Sequence, residues 1–242
     1  MGRRRKQNED SFLVDDEYGL YVVADGLGGH QAGEVASRLV VDAIRSWIVN
    51  PPAGEGIEFA RKPAKGLSEK GRDLLLGILQ ANRMVRTASE GDGSLRGMGS
   101  TVSAVTLHGS TLVAANVGDS PIYLARGGSI EMVSVLHTVA AEFNAVDPGN
   151  GRSLGPEFHH VLTRAVGVEE TVLPDIREME SREKDVLVLC SDGLSDKVAP
   201  GEILEFVSKF RPQEACTSLV ATANQRGGDD NITVIVLKIL GV

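Results

Sequence analysis

Four apolar runs of the chain stop, or start, at an aspartate set in a glycine-rich or polar turn: VVADG at Asp25, VGDS at Asp119, LCSDG at Asp192, and GGDDN at Asp229 and Asp230. The N-terminal NED adds Glu9 and Asp10. A single DG after a strand is an ordinary turn, because aspartate bonds its own backbone there. Repeated along one chain, the pattern restricts the fold. If the sheets bring these ends together, the carboxylates repel one another unless hard divalent cations lie between them. All-oxygen ligation with several retained waters is what Mg²⁺ or Mn²⁺ takes. Around Asp25 the stretch DGLGGHQAGE also removes side-chain volume, which serves a close backbone approach or a positive φ.

The runs between these acids alternate in type. Residues 11–15 and 18–24 read as two strands joined by a turn at 15–17, and the second is nearly all apolar, as a buried strand is. Val35, Ala36, Leu39, Val40, Ala43, Ile44, Trp47 and Ile48 recur at helical spacing, and a second stripe runs through Leu74, Leu75, Ile78, Leu79, Asn82 and Val85 of a helix over 68–89. The polar loop PPAGEGIEFARKPAKG lies between the two helices. From 101 to 133 the short runs TVSAVTL, TLVAANVGD, PIYLAR and SIEMVSV predict hairpins of an antiparallel sheet. A short helix at TVAAEFNAV leads into DPGNGRSLGPEFHH, read as a surface flap over 137–160. DVLVLCSD is a third buried strand, EILEFVSKF and PQEACTSLVATANQR are helices, the latter with Pro212 near its start, and NITVIVLKIL is a closing strand. Hairpins flanked by helices, rather than βαβ alternation, predict an α+β layered sandwich. No composition break marks a boundary within residues 1–242, so one domain is expected.

Composition excludes several function classes. With 25 basic against 33 acidic residues and a net charge of −8, neither nucleic acid nor an anionic membrane is the expected partner. No run reaches membrane-spanning length, and the basic opening MGRRRKQNED lacks the apolar segment of a leader, so a cytoplasmic protein is expected. Cys190 and Cys216 show neither CxxC spacing nor the CxxxxxR loop of a thiol phosphatase, since Asp196 and Thr222 stand where that arginine belongs. There is no GxxxxGK[ST], HExxH or GxSxG, DGLGGH does not satisfy GxGxxG, and the five histidines show no ligand spacing. What remains is a metal-assisted hydrolase without a protein nucleophile.

In order, GRRRKQNEDSF, VVADGLGGHQAGE, GMGSTVSA, ANVGDSPIYLARGG, VLTRAVG, LCSDGLSD and GGDDNITVIVL resemble the successive motifs of the metal-dependent PPM family, the type 2C protein serine/threonine phosphatases, in its compact bacterial form. The resemblance runs from Gly2 to about Leu237, and seven motifs in order are highly specific. It implies a four-layer α-β-β-α sandwich, two packed antiparallel sheets flanked by helices. It implies that Asp25 bridges two Mn²⁺ or Mg²⁺ ions with the Gly26 carbonyl on one of them, and that Asp192 and Asp230 complete the cluster. Glu9 then contacts the second ion directly or through water, and Asp10 holds metal-bound water. Arg5 grips the substrate phosphate with its planar donors. Asp119 shares a third, weaker ion with Asp192. Two such ions lower the pKa of a bridging water and supply hydroxide near neutral pH. His30 is the candidate general acid for the seryl or threonyl oxygen, with contact to substrate as the alternative.

The resemblance implies hydrolysis of phosphoserine and phosphothreonine in proteins, opposing a bacterial Ser/Thr kinase, by a monomer. A phosphatase of an anti-sigma-antagonist protein is the alternative within the fold, and Arg5 and Asp119 argue against it. A catalytically dead regulator that binds phosphoproteins or a kinase is the alternative outside catalysis, and the intact acids argue against that. Small phosphatases of this type also stand beside kinase and forkhead-associated proteins in type VI secretion loci. The chain departs from the family pattern at Pro121, where arginine is usual, and at Leu136 of Leu136-His137-Thr138, where Asp-His-Ser or Asp-His-Thr is common. Only Met1 precedes Gly2, so the strand that opens the fold in that family is expected to be missing or to lie before Met1.

Overall fold

The alternation of side chains along β2 (Leu20–Leu27) sorts the interior of the molecule. Leu20, Val22 and Ala24 point one way, into a core with the helices α1 (Gln31–Val49) and α2 (Glu69–Gly91). Tyr21 and Val23 point the other way, into a core shared with Ile122, Leu124, Leu187, Leu189 and Ile235. Successive strand residues face opposite sides of a sheet, so a strand apolar throughout is one covered on both faces. The computed structural model describes residues 1–29, 31–52, 66–146 and 154–241.

The first sheet runs β1 (Asp10–Asp15), β2, β4 (Val102–His108), β5 (Thr111–Val117) and β8 (Asp175–Glu180), with the two-residue β3 (Gly99–Ser100) paired to the end of β2. The second runs β10 (Val234–Lys238), β9 (Val186–Cys190), β6 (Ile122–Arg126) and β7 (Ser129–Met132). Every pairing is antiparallel. Between β7 and β8 lies the short helix α3 (Val139–Val146). After β9 come α4 (Asp192–Ser195), α5 (Pro200–Lys209) and α6 (Pro212–Gln225), the last two packing Ile203, Val207, Ala215, Leu219 and Ala223 against Val186, Val188 and Cys190. The result is four layers, helix–sheet–sheet–helix, with three apolar cores between them. This is the α+β sandwich expected.

Three details differ from the sequence reading. The four β-runs from 101 to 133 are two hairpins, but they belong to different sheets: β5 turns outward to β8, while β6 pairs with β9. β8, DIREME, carried no recognisable strand signal. And β2 does not stop at Asp25 but continues through Gly26 and Leu27, because β3 supplies partners at Gly26↔Ser100 and Leu27↔Gly99. Among the described residues no helix is long and apolar enough to cross a membrane.

Candidate metal centre

Register brings the first two acids together. In the β1–β2 ladder Asp10 stands directly opposite Asp25. Gly26 is held between Glu9, whose carbonyl accepts from its N–H at 3.1 Å, and Gly33. A side chain at Gly26 would strike the carbonyls of both Gly33 and Glu9, so only glycine allows this approach. The GMGST motif holds the backbone of Asp25: Thr101 accepts its N–H at 3.0 Å, and the Thr101 N–H and the Ser100 hydroxyl donate to its carbonyl at 2.8 and 3.0 Å.

The remaining acids arrive from other strand ends. Asp119 follows β5 on a turn where Gly118 takes φ of 98°, Asp192 opens α4 just after β9, and Asp230 precedes β10. Asp25, Asp119, Asp192 and Asp230 line one cavity of about 640 Å³ together with Arg5, Glu9 and Gly26. Of the residues expected to form the site, the structure brings these seven together; Asp10 lies buried beneath them, and His30 is outside the described residues. The Asp10 Oδ2 atom accepts from the hydroxyls of Ser191 at 2.9 Å and Thr233 at 2.6 Å. Arg5 donates to Asp230 at 2.6 Å.

Crowding of like charges shows in the acidities. Burial, then the charges of Asp10, Asp192, Asp230 and Asp119, pushes the carboxyl of Asp25 well above the usual carboxylate range. Burial first and the neighbouring acids next raise Asp192 to about 7, and burial is also the main cause that raises Asp119 to about 6. Asp10 Oδ1 and Asp192 Oδ1 are buried with no hydrogen-bond partner. Buried carboxylate oxygens without donors, on acids that repel one another, fit hard divalent cations and fit little else.

Several participants were given no role by the sequence reading. Asn231 ties the N-terminal segment to the 228–231 loop: its Oδ1 accepts from the Glu9 N–H at 2.8 Å and its Nδ2 donates to the Gln7 carbonyl at 2.9 Å. Buried His137 accepts the Gly118 N–H at Nδ1, 3.0 Å, and lies 2.7 Å through Nε2 from Asp175, so it steadies the turn that carries Asp119. His160 and Asp196 also line the cavity. Each of these meets its partner across a long stretch of chain, which local pattern cannot reveal.

A family model described as Protein phosphatase 2C matches residues 3–227. The serine/threonine phosphatase stp of Listeria monocytogenes is 32% identical, over 98% of this chain and 92% of its own. Among solved structures, PppA, a key regulatory component of the type VI secretion system in Pseudomonas aeruginosa, superposes with a TM-score of 0.79 at 34% identity, over 97% of this chain and 92% of that one. The catalytic domain of the serine/threonine protein phosphatase PstP in complex with two manganese ions superposes with a TM-score of 0.81 at 33% identity, over 99% of this chain and 94% of that one. The two sheets flanked by helices, the acids gathered from separate strands and turns and these likenesses lead to one conclusion: the chain belongs to the protein phosphatase 2C family of metal-dependent serine/threonine protein phosphatases.

Proposed function

We propose that this chain removes phosphate from phosphoserine and phosphothreonine of proteins with Mn²⁺ or Mg²⁺, and that it does so as a cytoplasmic monomer opposing a bacterial Ser/Thr kinase. The observation that carries the reading is the convergence of Asp25, Asp119, Asp192 and Asp230 on one open cavity with the Arg5 guanidinium among them. In this reading Asp25, the Gly26 carbonyl, Asp192 and Asp230 hold two ions with Glu9, and Asp119 and Asp192 share a third. Bound there, the ions supply an acidified water as nucleophile and neutralise charge on the phosphate. Asp10, with Oδ2 engaged by Ser191 and Thr233, keeps Oδ1 for an ordered water. Arg5 lines the cavity and donates to Asp230; were Asp230 to hold a cation, the planar guanidinium would be free to clamp a phosphate. His30 gives its proton to the departing serine or threonine oxygen.

The substrate class is tested with phosphothreonine, phosphoserine and phosphotyrosine peptides of one sequence in Mn²⁺. Turnover of the first two well above the third is expected, and equal turnover of all three overturns the reading. His30→Gln should lower turnover of the phosphothreonine peptide far more than that of p-nitrophenyl phosphate, whose leaving group needs no proton. Equal losses would remove its role as acid. The likeness to PppA favours a place in the control of a secretion machine; loss of the gene should then change secretion by its host.

A further inference from the structure

The 154–162 segment brings His160 to the side of the cavity where Asp119 and Asp192 stand. Its Nδ1 is 3.8 Å from Asp192 Oδ2 and its Nε2 is 3.6 Å from Asp196 Oδ2. One ligand atom from each of Asp119, His160 and Asp192 falls within 4.8 Å of the others. Neither imidazole distance is a hydrogen bond, so the ring is placed among acids without being bonded to them. Nitrogen and oxygen donors on one ion sit about 2.0–2.2 Å from it, so two of them lie at most roughly 4.4 Å apart, a spread close to that of this trio. Asp192 Oδ1 is buried and has no partner of its own. Asp196 stands on the far side of the ring, where a carboxylate receives the Nε2 proton and leaves the Nδ1 lone pair for a metal.

We infer that His160 completes the third cation site with Asp119 and Asp192, making it a mixed nitrogen–oxygen site that takes first-row transition ions such as Mn²⁺ in preference to Mg²⁺. The inference rests on the reading of Asp119 and Asp192 as sharing an ion. Imidazole suits transition ions and adds little for Mg²⁺, which keeps water and carboxylate ligands. An exposed histidine merely drawn to negative charge would show no such discrimination. The site also has a structural consequence. Leu162 bridges Thr138, and the Val139 N–H donates to the Val161 carbonyl at 2.9 Å. An ion on His160 therefore adds a tether directly beside the point where the segment is already tied to the start of α3.

The test is ion binding rather than turnover. Chelator-stripped wild-type protein, His160→Ala and Asp119→Ala are titrated calorimetrically with Mn²⁺ and, separately, with Mg²⁺. For wild type three Mn²⁺ are expected. His160→Ala should weaken the weakest of them by at least the roughly 10–100-fold that loss of a mere supporting partner costs, and should leave the Mg²⁺ isotherm unchanged. Asp119→Ala should lose the third Mn²⁺ altogether. Should Asp119→Ala lose the ion while His160→Ala binds like wild type, the third site stands and the role of His160 is overturned. Equal weakening of Mn²⁺ and Mg²⁺ by His160→Ala overturns the role too, since it marks an effect of charge or folding. Should Asp119→Ala bind as many Mn²⁺ as wild type, the third site itself fails.

Discussion

Both hydroxyls that hold Asp10, from Ser191 and Thr233, converge on its Oδ2 and leave Oδ1 buried and bare. The other acids show their crowding as raised pKa values, burial first and neighbouring charges next. Asp192 at about 7 and Asp119 at about 6 compare with about 3.9 for an aspartate in an unfolded chain. Between those values the folded chain holds protons that the unfolded chain has released. This contribution to stability is whole below the unfolded value and is lost as pH climbs through the folded ones. Buried His137, lowered chiefly by burial, acts in the opposite sense but is one group against several. Chelator-treated protein should therefore melt at a lower temperature near pH 8 than near pH 5, and Asp192→Asn should narrow that gap; a gap unaltered by the substitution contradicts the reading. Arg5→Ala should chiefly raise KM for a phosphopeptide, because a phosphate clamp acts in the ground state as well as the transition state. Steady-state kinetics with neither KM nor kcat changed would return Arg5 to the tail. At this scale the acids were legible because each closes or opens an apolar run. His160, Asp196 and Asn231 were not, because their meaning lies in neighbours 30 to 220 positions away: His160 with Asp192, and Asn231 with Glu9, whose contact spans 222 positions.

Strands covered on both faces were also legible, and for a physical reason: β2 and β9 consist almost wholly of apolar side chains that face a helix layer and the opposite sheet in turn. β8 escaped detection because it lies at a sheet edge with β5 as its one partner, and its two large apolar residues, Ile176 and Met179, are three apart and so lie on opposite faces. A strand that contributes one side chain to each core has no period for a pattern to show. Nor could local pattern tell that the two hairpins of 101–133 part company, since both sheets offer the same kind of edge. The core between the sheets bears the test at this scale. Leu124 on β6 is buried there, and Leu124→Ala should cost about 2–5 kcal/mol, read as a fall of about 2–4 °C in melting temperature per kcal/mol. kcat of the surviving folded enzyme should stay near wild type, since Leu124 lies in the core between the sheets and does not line the cavity. A melting temperature equal to wild type would mean that this core does not hold the layers together.

The whole molecule is a device for gathering carboxylates that would otherwise fly apart. Two twisted sheets, each clamped by its own pair of helices, deliver Asp10 and Asp25 from one ladder, Asp119 from the turn after β5, Asp192 from the end of β9 and Asp230 from the start of β10. Apolar burial in three cores offsets the repulsion, and divalent cations turn that repulsion into binding. The most direct measurement is phosphate release from a phosphothreonine peptide by chelator-stripped protein as Mn²⁺ is added back, for wild type and for Asp25→Asn. The account predicts no release without the ion, a saturable return of turnover in wild type, and none at any Mn²⁺ concentration in Asp25→Asn, with both proteins folded by circular dichroism. Full turnover of wild type in excess chelator, or near wild-type turnover of Asp25→Asn, would contradict it.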